Sequence, residues 1–261
     1  MQLSAKRALV TGSTGGIGLA IARALAAEGA DVALNGFGSS EDIHRIEAEL
    51  AGIRGARVEH FTADLATADA VTDLVRRVEG ALGGVDILVN NAGIQHVAPI
   101  ESFSAERWDA VLAVNLSAAF HAVRAAMPGM RARGWGRIIN IASVHGLVAS
   151  VHKAAYVAAK HGLIGLTKVI ALETAREPIT CNAICPGWVD TPLVRAQVDA
   201  RARESGRNAD AEAHALISEK MPSGTFVTPE QLAALVIFLC GEAASQIRGV
   251  ALPVDGAWTA Q

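Results

Sequence analysis

Cysteine is scarce in this chain: 261 residues carry three, Cys181, Cys185 and Cys240. An odd set of this kind forms no even disulfide framework and reads as reduced thiols in a cytoplasmic protein. The Cys181-x3-Cys185 spacing suggests a metal, but no nearby His/Cys pair completes a tetrahedral set, and small packed residues is the reading that remains. Charge of one sign is also lacking. A net charge of −3 supplies no basic field for nucleic acid. The longest apolar stretch near the C-terminal end, Ala233 to Cys240, is too short to span a bilayer. The chain enters Ala8-Leu9-Val10 so early that no signal peptide is expected. What remains is a folded chain with 51% apolar residues, too hydrophobic for disorder, and expected to form a single domain over residues 1–261.

Short β-rich runs alternate with helical patterns. Strands are expected at Arg7–Val10, Asp31–Asn35, Arg57–Thr62, Ile87–Asn90, Gly136–Ile141, Thr180–Ile184 and Val250–Pro253. Helices are expected at Ile17–Glu28, Ser40–Ala51, Ala68–Leu82, Glu106–Ala132, Ala155–Ala175 and Pro229–Cys240. This rhythm predicts an α/β fold: a parallel sheet of about seven strands, doubly wound, with helices on both faces. Continuous apolar runs such as Ile87-Leu88-Val89 suit strands covered on both sides. Leu193 to Phe226 breaks the rhythm, being charged and alanine-rich. Two short helices are expected there, the second near Ala211–Lys220, forming either a solvated insertion or a lid over a cleft.

Thr11-Gly12-Ser13-Thr14-Gly15-Gly16-Ile17-Gly18 follows the first strand and opens the first helix. Glycines there let the backbone turn tightly and approach a pyrophosphate, and the helix N-terminus supplies free N–H groups. The spacing, Gly12, Gly16 and Gly18, is G-x-x-x-G-x-G. A glycine-rich turn without a ligand is the plainer alternative, and its place between a strand and a helix argues against it. After the second strand, Leu34-Asn35-Gly36-Phe37-Gly38 holds neither an acid for ribose hydroxyls nor an arginine for a 2′-phosphate. The glycine loop lacks Lys and Arg, and the next base is Arg45. An unpaired 2′-phosphate gains little, which points to NAD. Phe37 either covers the adenosine edge or is a packed loop aromatic.

Tyr156-Val-Ala-Ala-Lys160 places a phenol and an ammonium one turn apart on a helix. A free phenol has a pKa near ~10, and a neighbouring cation is expected to lower it and make an acid/base pair. Ser143 lies just past an expected strand end, where open α/β sheets bind ligands. Hydroxyls aimed at a reacting oxygen stabilise charge developing there. Asn115 sits inside an expected helix although asparagine is a poor helix former. It either caps a local kink or holds water, and both can be true.

Together, Gly12/Gly16/Gly18, Asp64-Leu65, Asn90-Asn91-Ala92-Gly93, Asn115, Ser143, Tyr156-x3-Lys160 and Pro186-Gly187 make the chain resemble the short-chain dehydrogenase/reductase family over essentially its whole length. The resemblance implies a single-domain Rossmann-type fold and hydride transfer at a nicotinamide, with Tyr156 as acid/base. It implies that Ser143 holds the reacting oxygen, Lys160 bonds the ribose and tunes Tyr156, and Asn115 anchors a relay water. By the same resemblance the glycine loop, including Ser13, Thr14 and Ile17, holds the cofactor. Asp64 and Leu65 border the adenine, Asn91 and Gly93 lie along the cofactor, and Val189 and Thr191 face the nicotinamide amide. Family members are usually tetramers, so a homotetramer is implied.

Further segments resemble one branch of that family, the bacterial D-3-hydroxybutyrate dehydrogenases. They are Leu34–Gly38, Asn91-Ala92-Gly93-Ile94-Gln95-His96, Ser143–Ser150, Cys185-Pro186-Gly187-Trp188 and Trp258-Thr259-Ala260-Gln261. The likeness implies a carboxylate clamp from Gln95, His145, Lys153 and Gln197, with Trp188 and Trp258 enclosing a methyl end. Read alone, each has a plainer account: Lys153 as an exposed helix-start lysine, His145 as a satisfied loop histidine, Gln95 and Gln197 as surface polar residues, and Trp188 as core. Trp258 is equally explained by burial against another subunit. The chain departs from the branch at Arg195-Ala196, Met221-Pro222-Ser223-Gly224-Thr225 and Gly256-Ala257, which bears on lid geometry. His96 has no assigned role.

The expectation is reversible oxidation of (R)-3-hydroxybutyrate, a small anionic hydroxy acid, to acetoacetate with NAD. No nucleic-acid, membrane or metal partner is expected. Two alternatives compete: an NADPH-dependent reductase of a 3-oxoacyl thioester or other ketone, and a non-catalytic nucleotide-sensing protein on the same scaffold.

Overall fold

The computed structural model describes residues 3–260; Gln261, which closes the C-terminal motif, lies outside them. Among the described residues, seven strands form one parallel sheet: β1 (Arg7–Val10), β2 (Asp31–Leu34), β3 (Val58–His60), β4 (Ile87–Asn90), β5 (Gly136–Ile141), β6 (Ile179–Pro186) and β7 (Ala251–Val254). Their order is β3-β2-β1-β4-β5-β6-β7. The order reverses between β1 and β4, which is where such sheets open a crevice beyond their C-terminal ends.

Alternation along β1 explains the two layers. Ala8 and Val10 join one core cluster, with Ile21 and Leu25 of helix α1 (Gly16–Ala27) and Leu232, Val236 and Leu239 of α9 (Pro229–Cys240). Leu9 points to the other face, toward Leu74 and Val78 of α3 (Ala68–Leu82) and Ala122 and Met130 of α5 (Ala118–Arg133). Every residue of β4 and β5 is buried, as expected for strands covered on both sides. Helical stretches Ala105–Arg133 and Ala154–Glu173 are long and apolar enough to cross a membrane by composition, yet α5 packs on α3, and α6 (Ala154–Glu173) packs on β6.

Several elements differ from expectation at their ends, β3 among them, which is shorter than Arg57–Thr62; two differ for visible reasons. β6 runs on to Pro186 because Cys185 and Pro186 pair with Pro253 and Val254 of β7. The helix expected at Glu106–Ala132 is broken into α4 (Ala105–Leu112), a π-helical turn (Ala113–Ser117) and α5. Asn115 causes the break. Its Nδ2 donates to the Val111 carbonyl at 2.8 Å, taking an acceptor of the helical ladder, and to the Ile94 carbonyl at 2.8 Å.

At the N-terminal end of the sheet, Asp86 is 2% exposed and bonded to Arg7 Nε at 2.7 Å and Arg133 Nε at 2.9 Å. These bonds tie β1 and the end of α5 to the start of β4. Past β6, the 193–226 segment folds as α7 (Pro192–Ser205), capped by Thr191, and α8 (Ala209–Ser218), capped by Asn208. Val198, Ala213 and Leu216 form a small core of their own against Trp188, Val194 and Phe226. Where the excursion leaves and returns, Val189 pairs with Val227, Asp190 N–H donates to the Val227 carbonyl, and Val227 N–H donates to the Trp188 carbonyl.

Candidate active site

Beyond β1, Gly12 adopts φ +62, a left-handed conformation that favours glycine. A side chain at Gly18 would overlap the Gly12 carbonyl and the Asn91 amide. Asn91 Nδ2 braces the turn by donating to the carbonyls of Thr11 at 2.9 Å and Gly12 at 3.0 Å. α1 starts at Gly16 with no side-chain cap and no acid in its first turn. Its first N–H groups and the positive end of its dipole therefore suit a phosphate. Thr14 Oγ1 donates to the Phe37 carbonyl at 2.8 Å, linking the glycine turn to the end of β2. The Phe37 ring itself is 71% exposed. Asp64 is exposed, and Leu65 beside it is buried.

Ser13 is placed differently from the expectation that it binds cofactor. It is fully buried, and its hydroxyl donates to the Val10 carbonyl at 2.8 Å while accepting from Asn35 N–H at 3.0 Å. Its side chain is used in holding β1 to β2. Thr11 was not anticipated as a site residue, and it does comparable work. Its Oγ1 accepts from the N–H groups of both Asn91 and Ala92 at 3.0 Å, fastening the turns after β1 and β4 together.

Ser143 follows β5 and is buried. Its hydroxyl accepts from His145 N–H at 3.1 Å, which fixes the short turn Val144–Gly146. Tyr156 and Lys160 face this turn from α6. Lys160 is buried, donates from Nζ to the Ile141 carbonyl at 2.8 Å, and lies 5.5 Å from the Tyr156 ring centroid. Burial pulls its pKa down to about 8. Burial also dominates at Tyr156 and raises its pKa, with the Ser143 hydrogen bond pulling the other way. The expected depression of the phenol by Lys160 is therefore not what this arrangement gives: desolvation of the phenol dominates its shift, and only the Ser143 bond opposes it. Tyr156 is half-buried and lines the cleft.

Asn115 Oδ1 is buried without a hydrogen-bond partner. A Cβ built on Gly93 would stand 2.6 Å from this oxygen and 3.8 Å from Lys160 Nζ. Both polar groups thus converge on Gly93, where the absence of a side chain leaves room for a small polar bridge. Of the two readings of Asn115, the kink is present, and the free oxygen suits the water.

The far wall is polar and aromatic. Lys153 Nζ lies 3.3 Å from His145 Nε2 and 5.5 Å from the Trp188 ring centroid. His145 stacks edge-on against Trp258 at 5.5 Å and Tyr156 at 6.2 Å. Trp188 and Trp258 lie 6.3 Å apart. Burial, reinforced by the Lys153 charge, lowers the His145 pKa to about 4, and burial also lowers that of Lys153. His145 is then neutral, with Nε2 accepting from the ammonium. Among the described residues Lys153 has no carboxylate partner.

One cleft of about 550 Å³ gathers these groups. Gln95, Ser143, His145, Lys153, Tyr156, Trp188, Gln197 and Trp258 all line it, together with Ile17, Asn91, Gly93, Lys160, Val189 and Thr191. Asn115 and Leu65 instead border a water-sized cavity of about 10 Å³ behind it. Ile94, Leu193 and Val194 also line the cleft. Leu193 is 71% exposed, an apolar residue in a charged segment, and that contrast is the signal the sequence offered.

A sheet crevice carrying a glycine phosphate turn beside a Ser-Tyr-Lys cluster is the arrangement of a dinucleotide-dependent oxidoreductase. The chain belongs to the short chain dehydrogenase family, whose model matches residues 6–202. It is 57% identical to a D-beta-hydroxybutyrate dehydrogenase of Cupriavidus necator, over 99% of this chain and 100% of that one. A second D-beta-hydroxybutyrate dehydrogenase, from Rhizobium meliloti, is 50% identical, over 98% and 99% of the two chains. Among solved structures, the L-sorbose reductase of Gluconobacter frateurii, complexed with NADPH and L-sorbose, superposes with a TM-score of 0.93 at 34% identity, covering 98% of each chain.

Proposed function

We propose that this chain interconverts (R)-3-hydroxybutyrate and acetoacetate using NAD. The observation that carries the reading is the one cleft lined by Lys153, which bonds His145 but has no carboxylate partner among the described residues, and by Gln95, Gln197, Ser143 and Tyr156. Two relatives at 57% and 50% identity that bear the hydroxybutyrate dehydrogenase name support it.

The capless N-terminus of α1 and the glycine turn would hold the pyrophosphate, and Val189 and Thr191 the nicotinamide amide. NAD supplies the hydride acceptor when bound. Lys153, its ammonium oriented by the acceptor Nε2 of neutral His145, pairs with the substrate carboxylate, and Gln95 and Gln197 add hydrogen bonds, so binding energy remote from the reacting carbon orients it. Trp188 and Trp258 enclose the methyl end. Tyr156 Oη takes the hydroxyl proton as the carbonyl forms, and returns it in the reverse direction. Ser143 Oγ steadies charge on the same oxygen. Lys160, with a pKa of about 8, passes the proton from Tyr156 toward a water held by Asn115 Oδ1.

NAD rather than NADP is supported by the absence of any Lys or Arg from the glycine turn and from Asn35–Gly38. The helices α7 and α8 act as a lid over the clamp, since Gln197 and Leu193 reach the cleft from α7. Exposed Phe120 on α5 and Val169 and Leu172 on α6 support a homotetramer, and three buried free thiols suit a cytoplasmic setting. The test is absorbance of the reduced cofactor with (R)- and (S)-3-hydroxybutyrate and with both dinucleotides. Rapid turnover of the (R) acid with NAD is expected. Faster turnover of a 3-oxoacyl thioester with NADPH would overturn the reading.

A further inference from the structure

Adjoining the main cleft is a second chamber of about 230 Å³. Five side chains, His145, Lys153, Trp188, Gln197 and Trp258, line both it and the main cleft. None of the residues assigned to the nucleotide lines this outer chamber. Its remaining walls come from the loop before α6 and from the 193–226 segment: Ser150 and Leu216, with the charged Arg201, Glu219 and Lys220. Lys153 thus stands in a partition, approachable from two sides.

The charges of the chamber do not cancel. Arg201 contacts Glu212 at only 3.7 Å, and Glu212 is shared with Arg207 at 3.6 Å and with the Ser205 hydroxyl at 2.7 Å. One carboxylate therefore serves two guanidinium groups. Lys220 contacts Glu219 at 3.9 Å, and both are exposed. Counting Lys153, the chamber and its rim carry more cation than anion, in a concave space where field lines concentrate. Because it shares no residue with the proposed nucleotide site, the outer chamber offers an approach to Lys153 separate from that site.

We propose that this outer chamber is an anion-binding vestibule, in which Arg201 and Lys220 capture the carboxylate of a short hydroxy or keto acid and hand it to Lys153. The inference rests on the hydroxy-acid reading given above. It adds a site outside the clamp, with specificity for charge rather than shape. Glu219 opposes capture, so charge changes within the vestibule act with opposite signs. That sign reversal separates electrostatic capture from a merely structural role for these residues.

Steady-state kinetics of the full-length enzyme, at low and high salt, tests it. Arg201→Gln and Lys220→Gln should each lower kcat/KM for (R)-3-hydroxybutyrate about fivefold at low salt, and Glu219→Gln should raise it about twofold, with kcat little changed. The differences should shrink as added salt screens the charges. An uncharged ketone of similar size should be reduced equally by all four proteins. Equal kcat/KM values in an enzyme that does oxidise hydroxybutyrate would overturn the vestibule, as would equal losses on the uncharged ketone. If the wild type leaves hydroxybutyrate unoxidised, the function proposed above fails instead. Calorimetric affinities for acetate that are identical in all four proteins would then overturn the vestibule on its own account.

Discussion

Lys153 Nζ points at His145 Nε2 across 3.3 Å, and burial, reinforced by this neighbouring charge, keeps the imidazole uncharged. Its pKa of about 4 lies below the usual ~6.5. Between these values the unfolded chain binds a proton that the folded chain refuses. Stability contributed by this site therefore rises with pH across that window and is lost on acidification. Histidine ring NMR should show His145 untitrated from pH 8 down to the acid edge of that window. Lys153→Ala removes the second cause of the shift and should move the His145 pKa upward. The same substitution should raise KM for (R)-3-hydroxybutyrate on the order of a hundredfold and barely alter KM for an uncharged alcohol. Equal effects on both would remove the carboxylate clamp.

Tyr156 is the only tyrosine in the chain, so phenolate absorbance reports on the proposed acid/base alone. In the free enzyme the phenolate should form above the ordinary tyrosine range, because burial raises the pKa. Saturation with NAD should bring the titration to lower pH, since the nicotinamide end of the cofactor carries positive charge near the ring. A phenolate that titrates at the same pH with and without NAD would leave the acid/base role without its electrostatic support. Tyr156→Phe should abolish the signal and lower kcat roughly a thousandfold, with NAD affinity retained.

Asp86 offers a stability test remote from the chemistry. Burial alone would raise its carboxyl pKa, but the bonds from Arg7 and Arg133 outweigh it and hold the group below the usual range. Its stabilisation is present above the ordinary carboxylate pKa and disappears as pH falls through the depressed value. Asp86→Asn leaves two guanidinium groups without their anion and should cost about 3–5 kcal/mol in denaturant unfolding at neutral pH. Because the residue sits at the far end of the sheet, KM values of the folded variant should match wild type.

Local signals made much of the architecture legible. α2 (Ser40–Ala51), α3 and α9 have the expected ends. Their caps are written beside them: Ser39 accepts from Asp42 N–H, Thr67 from Ala70 N–H, and Thr228 and Gln231 form a capping box. Features set by distant partners were less legible. The length of β6 depends on β7, and the break at Asn115 depends on the Ile94 carbonyl, which comes from another turn. Ser13 sits in a motif that suggests a ligand contact, yet Asn35 claims its hydroxyl. The Tyr156–Lys160 spacing shows that the two groups are near each other but not how deeply both are buried, and burial decides the sign of the phenol shift. The departures at Ser223 and Gly256 meet in space, with Ser223 N–H donating to the Gly256 carbonyl at 3.1 Å, a pairing no linear reading exposes.

The Val189–Val227 bridge joins the two feet of the α7–α8 excursion side by side. A segment whose ends already touch can vary in its outer turns with little disturbance to β5, which leads to Ser143, or to α6, which carries Tyr156, provided Ile217 and Met221 keep their places in the main core. Changes of taste in such a protein can therefore be concentrated in one excursion, while the Ser143, Tyr156 and Lys160 machinery is left intact.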